Sequence, residues 1–576
     1  MQRLKTDILI LGSGGAGLFA ALHAHKAAPG ARITVATKGL IGKCGCTRMV
    51  QGGYNVALIP GDSVERHFMD TILGGAWLPN QDLAWRLVST APERVRELEN
   101  EVGCFFDRNP DGTLHGKAFA GQTFDRTVHK GDLTGIEIIN RLMEQVWARP
   151  IQRLEEHRAV ALIKDKAGNA LAGVLMVDVR TGEMLLVEAR AVLLGTGGGP
   201  TMYRYHTPSG DKSMDGLAMA LRAGLPLRDM EMVQFHPTGL LAGKGTRMTG
   251  TVLEEGLRGA GGHLLNGKGE RFMLERSPKA ERATRDFISQ CIYDEMRKGN
   301  TTPNGGVYIK MGHLGPEKVA KQFKGMVERC ADCGFDLAGG LVEVVPTAHY
   351  FMGGLVCGLD TETELDGLFV AGEDAGGMHG ANRLGGNGVA NSTVFGGIAG
   401  DVMADFIARN PHWREPDMDA VAAEAARALH PFAKPAGDLN ALRERLMDLM
   451  WDDVGVIRDE TSMTRALGAL DAIEDDLLKT GVGTAERAFN LTWHDWLNLR
   501  SLVEISRVIT LAALERKDSR GAHFREDFPK PGPLETSTYT LSRLVDGKLR
   551  IESPPVAFTR VKPGETLLKE TPAAAE

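Results

Sequence analysis

The stretch Thr6-Asp-Ile-Leu-Ile-Leu-Gly12-Ser-Gly-Gly-Ala-Gly17 decides how this chain is read. An apolar run enters a glycine turn, and a helical pattern, Leu18-Phe-Ala-Ala-Leu22, starts at once. Gly12, Gly14 and Gly17 fit a strand–turn–helix that brings backbone amides and a helix N-terminus onto a pyrophosphate. The turn predicts contacts from Gly12, Ser13, Gly14, Gly15, Ala16 and Gly17 to a dinucleotide. Among 71 glycines such spacing also arises by chance, but its place directly after an N-terminal strand gives it weight.

Working outward, a second strand, Ile33 to Thr37, follows the first helix. An ordinary NAD site wants an acid at its end for the ribose hydroxyls. No Asp or Glu occurs between Asp7 and Asp62, and the strand ends in Thr37-Lys38, which counts against NAD. The segment Gly42-Lys-Cys-Gly-Cys-Thr-Arg-Met-Val-Gln-Gly-Gly53 is dense in glycine and suggests backbone passing close to a ligand. From Ala159 to Val192 short strands and turns read as an antiparallel meander that closes in Leu194-Gly-Thr196-Gly197. A third strand–glycine junction, Gly367-Leu-Phe-Val-Ala-Gly-Glu373, lies far downstream. One nucleotide fold interrupted by a long insertion accounts for all three.

The expected fold is therefore α/β. A Rossmann-like nucleotide-binding domain (1–234 and 351–411) is interrupted by an α+β insertion (235–350). A helical bundle (412–530) and a small β-containing tail (531–576) follow. In the bundle Leu442, Leu446 and Leu449 share one helical face, as do Leu502, Ile505, Ile509 and Ala512. A hairpin is expected at Asp546-Gly547.

The 576-residue chain is mildly acidic, with a net charge of −7 and no basic run, which argues against nucleic acid. Its seven cysteines suit a reducing compartment and read as no disulfide framework. Cys330 and Cys333 lack a second pair nearby, so no metal site is expected. The first strand starts within six residues, so no signal peptide is expected; with no run of about 18 apolar residues, a cytoplasmic chain without a transmembrane segment is expected, membrane-peripheral at most through a partner.

Five clusters carry candidate chemistry: Phe235-His-Pro-Thr-Gly239, Leu253-Glu-Glu-Gly-Leu-Arg-Gly259, Arg282-Ala-Thr-Arg-Asp286, Pro346-Thr-Ala-His-Tyr-Phe-Met-Gly-Gly354 and His379-Gly-Ala-Asn-Arg-Leu-Gly-Gly-Asn387. With the opening fingerprint they resemble the flavoprotein subunit of succinate dehydrogenase and fumarate reductase, and the related L-aspartate oxidases. The resemblance runs in order from about residue 6 to 529. It implies FAD, which makes the Rossmann-like domain an FAD-binding domain and the α+β insertion its capping domain, and hydride exchange at a C–C or C–N bond beside a carboxylate. It also implies a small carboxylate as substrate and an iron–sulfur subunit or a soluble carrier as electron partner. By this resemblance His236, His349 and Arg383 bind the dicarboxylate, with Phe119 and Glu254 beside them, and Arg285 moves the proton through Glu255 and Arg258. Thr37, Lys38, Cys46, Thr47, Gln51, Gly52, Gly53, Thr196, Gly197, Asp215, Glu373, Arg383, Gly388 and Val389 are the further cofactor contacts expected.

Two departures stand out. Where membrane-complex members carry the histidine that links to FAD, this chain has Cys46 or Gly45, depending on the direction of counting, so non-covalent FAD is expected. Glu254 replaces the threonine that helps hold one carboxylate. Two like charges about 4 Å apart at an effective dielectric of about 20 repel by about 4 kcal/mol. Glu254 therefore points away, is protonated, or faces a substrate end that is not a carboxylate. Two other readings compete, a flavin oxidase resembling L-aspartate oxidase and a non-catalytic electron-transfer subunit.

Overall fold

The computed structural model describes residues 1–568. Its central sheet runs in the order Gln152–Leu154, Ile33–Ala36, Gln2–Leu11, Met184–Leu194, Leu171–Asp178, His157–Lys164, and Leu368–Val370 pairs with the end of Met184–Leu194. The first strand is flanked on both sides by parallel neighbours, Ile8 opposite Ile33 and Ala191. Ile8, Leu9, Ile10 and Leu11 are consequently buried on both faces, as the unbroken apolar run requires. The meander is present, and its last strand is also a parallel neighbour of the first. One strand thus serves both the hairpin layer and the nucleotide fold.

The chain leaves this sheet along Val233–Leu240 and returns along Leu341–Phe351, which pair antiparallel. The four-stranded sheet they form with Val307–Lys310 and His263–Leu265 has its own apolar cluster, including Leu253, Leu264, Ile288, Ile309 and Val342. The Arg285–Arg297 helix packs across Val233–Leu240 and presents its first residue to the seam between this unit and the central sheet.

Beyond residue 411 the helices Leu439–Asp453, Glu460–Lys479 and Leu491–Glu515 pack together. Trp493 and Trp496 are buried among them, their indole N–H groups donating to the carbonyls of Ala428 and Leu477 at 2.7 and 3.0 Å. The hairpin turns at Asp546 and Gly547, both at positive φ, and its first strand pairs antiparallel with the short strand Leu227–Arg228. Among the described residues no helix is long and apolar enough to cross a membrane.

Candidate active site

A single cavity of about 640 Å³ runs from the glycine turn to the capping unit, a size suited to a large ligand. The turn is built by exclusion of side chains. Gly12 has φ +109°, and a Cβ there would lie 2.0 Å from the Gly195 carbonyl oxygen. The Gly15 amide opens the Gly15–Ala27 helix and donates to Thr47 Oγ1 at 3.0 Å, tying the Thr47 loop to the helix start. Ser13, Gly14, Ala16, Thr37, Lys38, Cys46, Gln51, Gly52, Gly53, Thr196, Gly197, Asp215, Glu373, Gly388 and Val389 line the same cavity. Gly17 does not. It packs beneath the turn, where a Cβ would lie 1.9 Å from the Gly12 carbonyl oxygen, so it fixes the helix against the strand.

Several cavity-lining groups are already engaged within the protein. The Asp215 carboxylate accepts from Lys38 at 2.8 Å and Arg158 at 2.6 Å, which hold its pKa far below the usual range. It positions Lys38, whose own pKa burial lowers to about 8. Thr196 donates to Asp374 at 2.9 Å and accepts from the Gly216 amide at 3.1 Å, anchoring the Asp215–Arg222 helix. Glu373 accepts from the Phe351 amide at 3.0 Å and stands in the cavity wall with its pKa raised to about 7 by burial. A carboxylate and two helix N-termini around a side-chain-free turn fit the hydroxyls and pyrophosphate of FAD. Cys46 is a neutral thiol there, pushed up to about 12 by desolvation.

At the capping end Arg285, Arg383, Glu255, His236, His349, Phe119 and Glu254 converge on the cavity. Arg285 grips Glu255 with Nε at 3.0 Å and Nη2 at 2.5 Å. Asp286, its neighbour in sequence, plays no part in that pair. Arg258 does not reach the cavity; it lies behind Glu255, 3.2 Å from the other carboxylate oxygen. Gln234, which no sequence motif marks, joins the two cavity arginines: its Oε1 accepts from Arg285 at 3.1 Å and Arg383 at 3.0 Å. Its amide nitrogen donates to Asn382 and the Arg383 carbonyl, fixing which way the amide faces. Arg383 stacks on Tyr350, 4.2 Å from the ring centroid, and pairs with no carboxylate among the described residues. Burial and the adjacent Arg285 lower its pKa to about 10.

His236 and His349 face each other with ring centroids 5.4 Å apart. Burial, reinforced by Arg285, holds both pKa values well below 6.5, so both rings are neutral. The Thr238 amide donates to His236 Nδ1 at 3.3 Å, which leaves Nε2 carrying the proton. Thr207 Oγ1 bonds His349 Nδ1 at 2.9 Å. Thr238 and Tyr350 lie inside quoted motifs, Gln234 directly before one and Thr207 outside them all, yet nothing in their residue type marks them out.

The conflict expected at Glu254 has a geometric answer. Its carboxylate faces Lys117 Nζ at 3.5 Å, and Lys117, Asp132 and Arg329 are the charges acting on it. His236 feels a different set, Arg285, His349, Arg258 and Arg383. Burial raises the Glu254 pKa. The carboxylate is thus both turned from the arginine cluster and disposed to be neutral.

A family profile described as FAD binding domain matches residues 7–389, and one described as fumarate reductase flavoprotein C-term matches residues 443–568. The chain belongs to the fumarate reductase/succinate dehydrogenase flavoprotein family. It is an FAD-dependent oxidoreductase by membership. Membership extends through residue 568, beyond the limit near 529 that sequence motifs alone supported. The chain is 38% identical to one of the subunits of the CoM/CoB fumarate reductase of Methanothermobacter marburgensis, over 94% of this chain and 98% of that one. It is 33% identical to the fumarate reductase flavoprotein subunit of Mycobacterium tuberculosis, covering 97% and 98% of the two. Among solved structures, the quinol fumarate reductase flavoprotein of E. coli superposes with a TM-score of 0.93 at 32% identity, covering 98% and 99%.

Proposed function

We propose that this family member reduces the double bond of a C4 dicarboxylate of the fumarate type, with Arg285 as proton donor. The observation that carries the reading is the charge balance at the capping end. Arg285, Arg383 and Arg258 face one ionised carboxylate, Glu255, while both histidines are neutral and Glu254 is turned away. The imbalance of two positive charges suits a dianion.

Bound FAD supplies the hydride. The chain's own residues do the rest. Arg383, free of any carboxylate partner among the described residues, grips one end of the substrate in a bidentate manner. His236 donates through Nε2 and His349 adds a second donor, so the carboxylate charge is stabilised without a second full cation. Gln234 holds Arg285 and Arg383 in fixed relation, which sets the proton donor against the gripped carbon. An arginine gives up a proton only if it is replaced at once. Glu255, bonded to two Arg285 nitrogens, is placed to return it, and Arg258 steadies the other oxygen. FAD is held non-covalently, because neither candidate for the linkage position, Cys46 or Gly45, is a histidine, and Cys46 is a neutral thiol. Electrons arrive from an iron–sulfur partner or a soluble carrier, since the two reductase relatives are named for different donors, CoM/CoB and quinol.

Anaerobic oxidation of reduced viologen on addition of fumarate tests the reading. Peroxide formed from L-aspartate, with no fumarate-dependent viologen oxidation, would replace it with the oxidase. Acid precipitation tests the linkage, the prediction being a yellow supernatant over a colourless pellet.

A further inference from the structure

The side-chain relay ends inside the protein. Arg285 bonds Glu255, Glu255 bonds Arg258, and Arg258 is 1% exposed. The remaining bond of Arg258 goes to the Glu281 backbone carbonyl at 3.0 Å, an acceptor that cannot hand on a proton. Arg258 Nε is buried without a partner. No chain of side chains among the described residues therefore connects Glu255 to bulk water, although every turnover consumes one proton at Arg285.

A second, small cavity of about 10 Å³ lies at this dead end, lined by both Glu255 and Arg258. Ala118, Phe119, Gly259, Glu281 and Arg282 also line it, and Arg282 is exposed. That volume is about one water molecule, and a buried water needs two to four polar partners. The Arg258 Nε–H and the Glu255 carboxylate are two, and the Arg282 guanidinium in the wall supplies further donors.

We infer that one water molecule in this cavity, between Glu255 and Arg282, is the solvent port of the proton relay. The inference rests on the proposed role of Arg285. The proton balance is simple. As Arg285 loses its proton to the substrate carbon, the port water gives a proton to the ionised Glu255 carboxylate and Glu255 hands it to Arg285. The hydroxide left at the port takes a proton from bulk solvent at Arg282, so each turnover takes up one solvent proton and leaves Glu255 ionised again. Arg258 then acts as a positioning residue, fixing Glu255 and the water, and the port lies in the seam between the Ala118 segment and the capping unit.

Two variants narrow the port without touching the relay. Ala118→Val enlarges a wall side chain. Gly259→Ala adds a methyl group 3.2 Å from the Ala118 carbonyl oxygen, at unexceptional φ. Measured on the flavin-loaded enzyme with reduced viologen and fumarate, each should lower kcat about tenfold, a fraction of what a general acid contributes. KM and the flavin spectrum should stay unchanged, and the solvent deuterium isotope effect on kcat should rise. A high-resolution crystal structure of the wild-type enzyme should place an ordered water between Glu255 and Arg282 that is lost in Ala118→Val. Unchanged kcat in both variants, or a fall in kcat with no rise in the isotope effect, overturns the port. Arg285→Gln separates the two ideas: if that variant keeps full turnover the proton-donor reading fails, whereas if it is inactive and the port variants are normal, only the port fails.

Discussion

Arg285 and Glu255 carry the sharpest prediction at the scale of single residues. Replacing Arg285 by Gln, or Glu255 by Gln, should cost turnover about 10²–10⁴-fold, the usual worth of a general acid. The ratio of bound flavin to protein should not change, because neither side chain belongs to the cofactor end of the cavity. Arg383→Met should instead raise KM steeply as well as lowering kcat, since the dianion loses a cation that pairs with no carboxylate among the described residues; steady-state kinetics distinguish the two patterns. Glu373 predicts a pH effect of stated sign. Its pKa is raised from 4.5 to about 7 by burial, so the flavin-free fold binds a proton there that the unfolded chain does not. That contribution to stability is full below about 4.5 and is lost as pH rises to about 7. Hydroxyl donors of the cofactor favour the ionised form, so flavin affinity should weaken below pH 7, by at most about tenfold per pH unit. Flavin titrations at pH 6 and pH 8 check this, and Glu373→Gln should abolish the difference.

The glycine turn dominates at the scale of elements. Gly12→Ala sets a side chain at φ +109° and against the Gly195 carbonyl, and Gly17→Ala sets one against the Gly12 carbonyl. Both should yield protein with little bound flavin, read from the visible-to-ultraviolet absorbance ratio, with Gly12→Ala the more severe because strain adds to the clash. These elements were legible in the sequence because their reasons are local: an apolar run buried on both faces, a turn that tolerates no Cβ, a helix that starts at once. The strands of the meander were legible from alternation and turn residues. The site was legible only where a motif carried it. His236, Arg285 and His349 stood in recognisable clusters, but Gln234 is one more glutamine until Arg285 and Arg383 are seen to share its oxygen. Glu254 was marked as an anomaly by its position, yet the direction of its carboxylate depends on Lys117, more than a hundred residues away in sequence.

For the molecule as a whole, the C-terminal segment is structural. Thr540 donates to Glu231 at 2.6 Å beside the Arg516–Glu231 pair, and the Val561 amide and carbonyl both bond the Gln81 side chain. Ending the chain at Lys530 would leave those buried groups unpaired at about 1–3 kcal/mol each. The truncated protein should melt at lower temperature and lose flavin, as differential scanning fluorimetry with a flavin readout would report. The interrupted sheet has a consequence for synthesis. Leu368–Val370 completes the sheet beside Met184–Leu194, and the Asn387–Arg409 helix packs on the Gly15–Ala27 helix, both only after the capping unit has been made. On the ribosome the capping unit, contiguous in sequence, is free to fold while the two halves of the flavin cleft wait for each other. Flavin is thus a late arrival, taken up by a nearly finished polypeptide, and cells starved of riboflavin should accumulate a full-length chain with a folded cap and an open cleft.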